Sequence, residues 1–349
     1  MLSICNKITG TDSYLTWTGT TWSWRQNVQN YLFGCPHPRS IEPLLKIHGY
    51  DVKPLIEKKY LRMATELKLK QANFIGLIGP KFKEHLATYT QEMWQNFEKI
   101  KDHRYTEFYF DTNDWIWTLQ PAPLDYTRYC GLKKINAPIK IRTDGEKIQT
   151  VRYVRSKIKT GRLSVISGPQ VMTMKAEYRN VAKGCRQIDF SSMEPRFLLN
   201  VSGKHVDGDL YDWVAKQAGL SDDRTHTKIA IISSLYGSAR QIPAVTKLFG
   251  LQEWERQLEA NVIDDVIENY YGRPIKTGGA KGRHLLSLWL QSSAADAAIK
   301  GFADFFRTNT HLKPHWLIHD ACVFSGEGNV SNEIIIDGMR FPITCEDIR

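Results

Sequence analysis

The chain of 349 residues has no run approaching the roughly 20 consecutive apolar residues that a membrane-spanning helix needs, so no membrane association is expected. It has no Cys-x-x-Cys pair either. Its six cysteines (Cys5, Cys35, Cys130, Cys185, Cys322, Cys345) are scattered, and Cys35-Pro36-His37, the one metal-like cluster, offers too few ligands for zinc. All six are therefore expected as reduced thiols in a reducing compartment. The opening MLSICNKITG lacks the charged start and long apolar stretch of a secretory signal, and the expected location is the cytoplasm. There is no internal repeat and no low-complexity tract. Acidic residues are scarce in one place: Lys133 to Lys183 holds 13 Lys and Arg against 3 Asp and Glu.

What is present is ordinary for a globular protein, with 42% hydrophobic and 24% charged residues and a formal net charge of +10. The basic stretch alternates with Tyr153, Val154, Ile158 and Leu163, a pattern suited to a sheet laying one face along a phosphate backbone. Residues 1–40 gather Trp17, Trp22 and Trp24, which read as a small core or docking strand before base-stacking platforms. From Ile41 to Asp102 the spacing of Leu55, Ile56, Tyr60, Leu61, Met63, Leu67 and Leu69 predicts a helix. A break at Gly76 to Pro80 precedes a second helix through Phe82, Leu86, Tyr89, Met93, Trp94 and Phe97. The aromatic stretch Tyr105 to Leu119 reads as extended, and Pro121 and Pro123 break the chain before the basic segment. Further on, a strand is expected over Cys185 to Phe190, helices over Glu194 to Asn200, Gly208 to Glu268 and His284 to Arg307, and a closing strand over Glu333 to Asp337.

Three polar insertions carry chemistry. Asp189 ends a strand in Asp189-Phe190-Ser191-Ser192-Met193-Glu194-Pro195-Arg196, and Asp320 sits between the apolar runs His315 to Ile318 and Ala321 to Phe324. Each aspartate alone reads equally as a helix cap or a turn residue. Together, 131 residues apart and each at a strand edge, they are the donors that a pair of divalent ions requires. Arg224, Lys228, Ile232 and Tyr236 repeat at intervals of four along one side of a helix, closed by Gly237. Two cations one turn apart can grip a polyphosphate, and Lys228 can protonate a departing pyrophosphate.

From about Ile141 onward the chain resembles the polymerase domain of family A DNA polymerases. DFSSMEPR matches that family's motif A at Asp189, Ser191, Glu194 and Arg196; Arg224, Lys228, Tyr236 and Gly237 match motif B; His319-Asp320-Ala321 stands for motif C. Thr160-Gly161-Arg162-Leu163-Ser164 and Gln291-Ser292-Ser293-Ala294-Ala295-Asp296 match two further segments, in the family's order. The resemblance implies an α+β, right-hand polymerase: an antiparallel-sheet palm (131–204 and 284–349), helical fingers (205–283), a reduced helical thumb (41–130) and an N-terminal segment of no assigned role (1–40). It implies metal binding by Asp189 and Asp320, two Mg²⁺ ions with Mn²⁺ as substitute, and dNTP contacts from Arg224, Lys228, Ile232, Tyr236, Glu194 and Tyr211. Glu194, paired with Tyr236, would exclude a ribose 2′-hydroxyl. Arg162, Arg283, Gln291 and His319 would touch DNA near the primer end, where minor-groove acceptors occur at every base pair. The partners implied are primer–template DNA and dNTPs, with room for an accessory processivity protein, and the chain is expected to act as a monomer.

The departures matter too. Ala321 replaces the motif C glutamate, Ile232 an aromatic ring, Ser233 a glycine and Tyr211 a histidine that helps hold phosphates. No Asp-x-Glu metal motif precedes the polymerase-like region, so no proofreading exonuclease is expected. The expected activity is template-directed DNA synthesis, in phage or mobile-element replication or in gap-filling repair. The alternative is a degenerate relative that binds primer–template without extending it, which Ala321 and Ile232 favour slightly and the retained Asp189, Asp320, Arg224 and Lys228 oppose strongly; an RNA-synthesising enzyme is a third reading, against which Glu194 speaks.

Overall fold

The computed structural model describes all residues except 29, 68–79, 138–140, 222, 239–240 and 349, and leaves aside the side chains of 58 and 65. The chain divides into two compact units, Met1–Trp117 and Thr118–Arg349. Among the described residues, no helix is long and apolar enough to cross a membrane.

The first unit begins with β1 (Leu2–Ile4), α1 (Asn6–Thr9), β2 (Tyr14–Trp17), β3 (Trp22–Arg25) and β4 (Tyr31–Phe33). These strands form one sheet in the order β3-β2-β1-β4, with β1 parallel to β4 and the other pairs antiparallel. Leu2, Ile4, Leu32 and Phe33 are buried, but Trp22 and Trp24 on the edge strand are exposed, so of the two expectations for this cluster, a small core or a docking strand, the core does not include these two tryptophans. The parallel register Ile4↔Phe33 brings the following residues together, and Cys5 and Cys35 form a disulfide with Cα atoms 5.9 Å apart. That overturns the expectation of six reduced thiols; Cys130, Cys185, Cys322 and Cys345 are free.

Helices α2 (Glu42–Ile47), α3 (Lys58–Glu66), α4 (Pro80–Glu98) and α5 (Arg104–Trp117) complete this unit. Phe82, Leu86, Tyr89, Met93 and Phe97 form the buried face of α4, as their spacing predicts, whereas α3 leaves Leu61 and Met63 exposed. The predicted break at Gly76 and the contribution of Leu69 fall outside the described residues. The stretch read as extended from Tyr105 is the helix α5. Its aromatics favour strands by composition, but Tyr105, Tyr109, Thr112, Asn113 and Ile116 recur on one buried face at helical spacing, and burial outweighs propensity.

The second unit is α+β with antiparallel sheets. It opens with β5 (Ala122–Pro123), α6 (Tyr126–Lys134), β6 (Thr143–Asp144) and β7 (Lys147–Ile148), followed by the hairpin of β8 (Arg152–Val154) and β9 (Ser164–Ser167). After a 3₁₀ turn at Ala176–Val181 come β10 (Arg186–Phe190) and the helices α7 (Met193–Val201), α8 (Leu210–Ala218), α9 (Arg224–Tyr236), α10 (Pro243–Leu248) and α11 (Leu251–Ala260). The hairpin β11 (Val266–Glu268) and β12 (Pro274–Lys276) leads to α12 (Gly282–Thr308), then β13 (Lys313–Ile318), β14 (Ala321–Ser325), β15 (Glu333–Ile336) and β16 (Met339–Asp347).

The central sheet runs β13-β14-β10-β16-β15, with every neighbouring pair antiparallel. Period-two alternation divides β10 between two faces. Ile188 and Phe190 point into the core, where Phe190 meets Phe302 of α12 with ring centroids 4.8 Å apart. Gln187 and Asp189 therefore point the other way. The strand at Glu333 does not close the chain, contrary to expectation: a turn at Asp337-Gly338, both at positive φ, returns it as β16, which pairs first with β15 and then, from Ile343 to Asp347, with the whole of β10. Pro342 within β16 obscured a strand pattern that the Asp-Gly hairpin signal reveals.

Candidate active site

Both aspartates are placed by backbone geometry. Asp189 faces Ala321 on β14 and Thr344 on β16. Asp320 lies in the two-residue turn between β13 and β14, and its carbonyl accepts a 3.1 Å hydrogen bond from the Phe190 N–H, next to Asp189. A left-handed, non-glycine residue accompanies each: Ser192 (φ 57°) before α7 and His319 (φ 57°) before Asp320. Ser192, not Asp189, occupies the N-cap of α7, so the helix-cap reading of Asp189 fails.

The electrostatics tie the two carboxylates together. Burial first, and then the charge of Asp320, push the Asp189 carboxyl up to about 6; Arg179 opposes the rise and Glu346 adds to it. Gln187 also hydrogen-bonds Asp189 and accepts from Arg179 Nη1 at 3.0 Å. Asp189 opens into a broad cleft lined by Arg179, Gln187, Thr344 and Glu346, whereas Asp320 lines a second, smaller cleft with Arg162, Glu194, Gln291 and His319. Small side chains on one face of α12, Ala294, Ala295 and Ala298, leave this second cleft open. Among the described residues, no group of three or more His, Cys, Asp or Glu side chains is gathered tightly enough to hold a metal ion.

Glu194 stands on the first turn of α7, and its partner is Arg162, whose Nη2 donates to Glu194 Oε1 at 2.7 Å. Burial raises the Glu194 carboxyl above its usual range, and Arg162 restrains the rise. Behind α7, the buried guanidinium of Arg196 donates to the carbonyls of Ser191 (3.0 Å), Val206 (2.8 Å) and Gly208, fixing the chain on either side of the helix.

The row on α9 forms as its sequence predicts. Asp223 caps the helix by accepting from the N–H groups of Thr225 and His226, and Gly237 (φ 77°) ends it. Gly237 is needed twice over, because a Cβ there would lie 2.9 Å from Arg283 Cγ. Arg224, Lys228 and Ile232 are exposed along one side, and Tyr236 is half-buried. Arg224 lies over the Tyr211 ring at 4.6 Å and donates to Asp209 at 3.3 Å, so two predicted nucleotide contacts meet. Arg283 is mostly buried, donating to the Ser234 carbonyl and pairing with Glu255 of α11.

A second network holds the backbone next to Arg162. Arg155 and Asp296 form a fully buried ion pair at 2.6 Å, and Asn269 donates to Asp296 at 2.9 Å. Arg273 donates to the Arg155 carbonyl at 2.8 Å, and its guanidinium lies against Gly161, where a Cβ would approach to 2.7 Å. Tyr153 hydroxyl and the backbone of Leu317 exchange hydrogen bonds at 2.9 Å. Part of the basic stretch is therefore internal: Arg155, Tyr153 and Leu163 are buried rather than laid along a surface. Sequence reasoning missed Arg155, Asn269 and Arg273, and also Arg179, Gln187 and Glu346. An acid between four alanines at Asp296 was the one available signal for the first group.

Comparison with known proteins adds little. No protein-family model matches the chain, and no curated protein matches it. Among solved structures it is similar to the POL domain of Pol1 from M. smegmatis, in complex with DNA primer-template and dNTP. Identity is 14%, with 88% of this chain and 63% of that one covered and a TM-score of 0.43. The chain thus spans less than two thirds of that structure's length.

Proposed function

We propose that the chain is a template-directed DNA polymerase of the family A type, adding dNTPs to a primer 3′-hydroxyl and releasing pyrophosphate. The observation that carries this reading is the convergence of Asp189 and Asp320, distant in sequence, at one end of an antiparallel sheet, where the charge of Asp320 helps raise the Asp189 carboxyl. Carboxylates are hard oxygen donors that suit divalent cations, and Asp189 and Asp320 are the residues that would hold Mg²⁺ or Mn²⁺. When bound, such ions make a hydroxyl a better nucleophile and neutralise phosphate charge.

The chain's own residues supply the rest. Arg224, steadied over Tyr211, and Lys228 one turn on grip the triphosphate, and Lys228 gives a proton to the leaving pyrophosphate. Exposed Ile232 packs on the incoming base, with Tyr236 and Glu194 at the sugar. Arg162, Gln291 and His319 read the geometry of the terminal pair beside Asp320, and Arg283, on the same helix as Gln291, also touches the DNA. In this reading 131–204 and 284–349 are palm, 205–283 fingers and 41–130 a reduced thumb.

Ala321 favours a second reading, a protein that binds primer–template without extending it, because the turn carries a single carboxylate. Primer extension on a recessed duplex with Mg²⁺ and dNTPs separates the two, with Asp189→Ala and Asp320→Ala as controls. Extension by the parent and loss in both variants is expected. Tight binding with no extension in Mg²⁺ or Mn²⁺ would hand the case to the second reading.

A further inference from the structure

Arg162 and Glu194 are each other's partner, yet the polymerase reading gives them different ligands, a DNA groove edge and a nucleotide sugar. Their pair closes across the cleft that Gln291, His319 and Asp320 also line. Arg162 is the looser partner: its side chain keeps 40% of its exposure, against 22% for Glu194. The pair is anchored on one side only. Gly161 rests on the Arg273 guanidinium and Lys159 donates to the Thr277 carbonyl at 2.8 Å, so the backbone that bears Arg162 is held while its side chain can swing. Glu194 starts α7 and lies near the charge of Asp320, which repels it; Arg162 is the cation that keeps it in place.

We propose that the Arg162–Glu194 ion pair is a latch that couples primer–template binding to nucleotide selection. In the DNA-free chain Glu194 occupies the donors of Arg162. An arriving duplex offers acceptors to the same guanidinium, draws Arg162 off, and leaves the Glu194 carboxylate free to face the sugar of the incoming nucleotide. The gate is then set only when a primer end is present. This inference rests on the polymerase reading, because it takes the duplex as the competitor for Arg162.

The test is a double-mutant cycle on duplex affinity rather than on turnover. Fluorescence anisotropy of a labelled recessed DNA duplex, without dNTP or divalent ion, is measured for the parent, Glu194→Gln, Arg162→Met and the double variant. Glu194→Gln removes the competing charge and should tighten binding about three- to fivefold, the range for a half-exposed ion pair. In the Arg162→Met background the same substitution should change nothing. An equal gain in both backgrounds would mean general repulsion between Glu194 and the DNA, and overturns the latch, as does no gain in either. Arg162→Lys, which keeps the charge, serves if Arg162→Met does not fold; Glu194→Gln should still tighten binding in that background, and absence of any gain there again overturns the latch. If the parent itself fails to bind the duplex, the polymerase reading falls and takes the latch with it.

Discussion

Asp189 stands directly across the β10–β14 ladder from Ala321, with a methyl group where a third carboxylate would fit. A glutamate there would join a face on which Asp320 and Glu346 already raise Asp189. Like charges directly opposite are destabilising, and Ala321 is buried, so the larger side chain also costs about 1–3 kcal/mol in packing. In metal-free buffer Ala321→Glu should therefore lower Tm by about 2–10 °C, and Mg²⁺ should restore part of the loss and stabilise the variant more than the parent. Melting curves in EDTA and in Mg²⁺ decide; identical curves for variant and parent would mean that position 321 does not see the carboxylates.

The raised Asp189 carboxyl gives a pH dependence of definite sign. Its folded value of about 6 exceeds the ordinary 3.8, so its favourable contribution is complete below about pH 4 and is lost as pH rises through 6. Asp189→Asn should stabilise the metal-free protein above pH 6 by about 1–2 kcal/mol, after allowance for solvent screening. Below pH 4 the advantage should vanish. A constant offset between the two denaturation profiles across this range would contradict the assignment.

Removing one member of the buried Arg155–Asp296 pair leaves an uncompensated charge among apolar groups. Arg155→Met or Asp296→Asn should cost about 3–5 kcal/mol in urea unfolding, and the double variant less than the sum of the two. Additive losses would show that the two groups do not act as a pair.

Gly301 on α12 lies so close to the sheet that an added Cβ would stand 2.6 Å from Ile336 Cδ1 and 3.1 Å from Phe190 Cζ. Gly301→Ala should cost about 1–3 kcal/mol despite the better helix propensity of alanine. If Ile336 is trimmed at the same time, with Ile336→Val, part of the loss should return. A Gly301→Ala protein as stable as the parent would refute this packing.

The Cys5–Cys35 bond closes a loop with a sequence separation of 30. Cys35→Ser should lower the stability of the oxidised protein by about 2–4 kcal/mol and have little effect once reductant is added. Mass spectrometry of the unreduced protein, finding two fewer hydrogens than in the reduced chain, checks the bond itself.

What could be read from the chain follows from the range of the interactions involved. Asp189 and Asp320 were legible because each interrupts an apolar strand, a local signal, and the row from Arg224 to Tyr236 because helical spacing is local too. Arg155 was not, since its partner lies 141 residues away and nothing nearby marks it as internal. Glu346 was hidden because only pairing with β10 brings it beside Asp189. The helix α5 was misread from its aromatic content although its spacing was helical, and Cys5 finds Cys35 through a parallel strand register that no cysteine spacing announces.

The order of strands in the central sheet also governs how the protein can be made. β10 is the middle strand, and both its neighbours, β14 and β16, come after it in the chain. During synthesis β10 leaves the ribosome with two bare edges and waits more than a hundred residues for a partner, while helices α7 to α11 can form meanwhile. Long-range antiparallel pairing is slow, and open edges invite pairing with other chains. The candidate site is therefore among the last parts to assemble, and a nascent or truncated chain that stops before β14 lacks that site and is prone to aggregate.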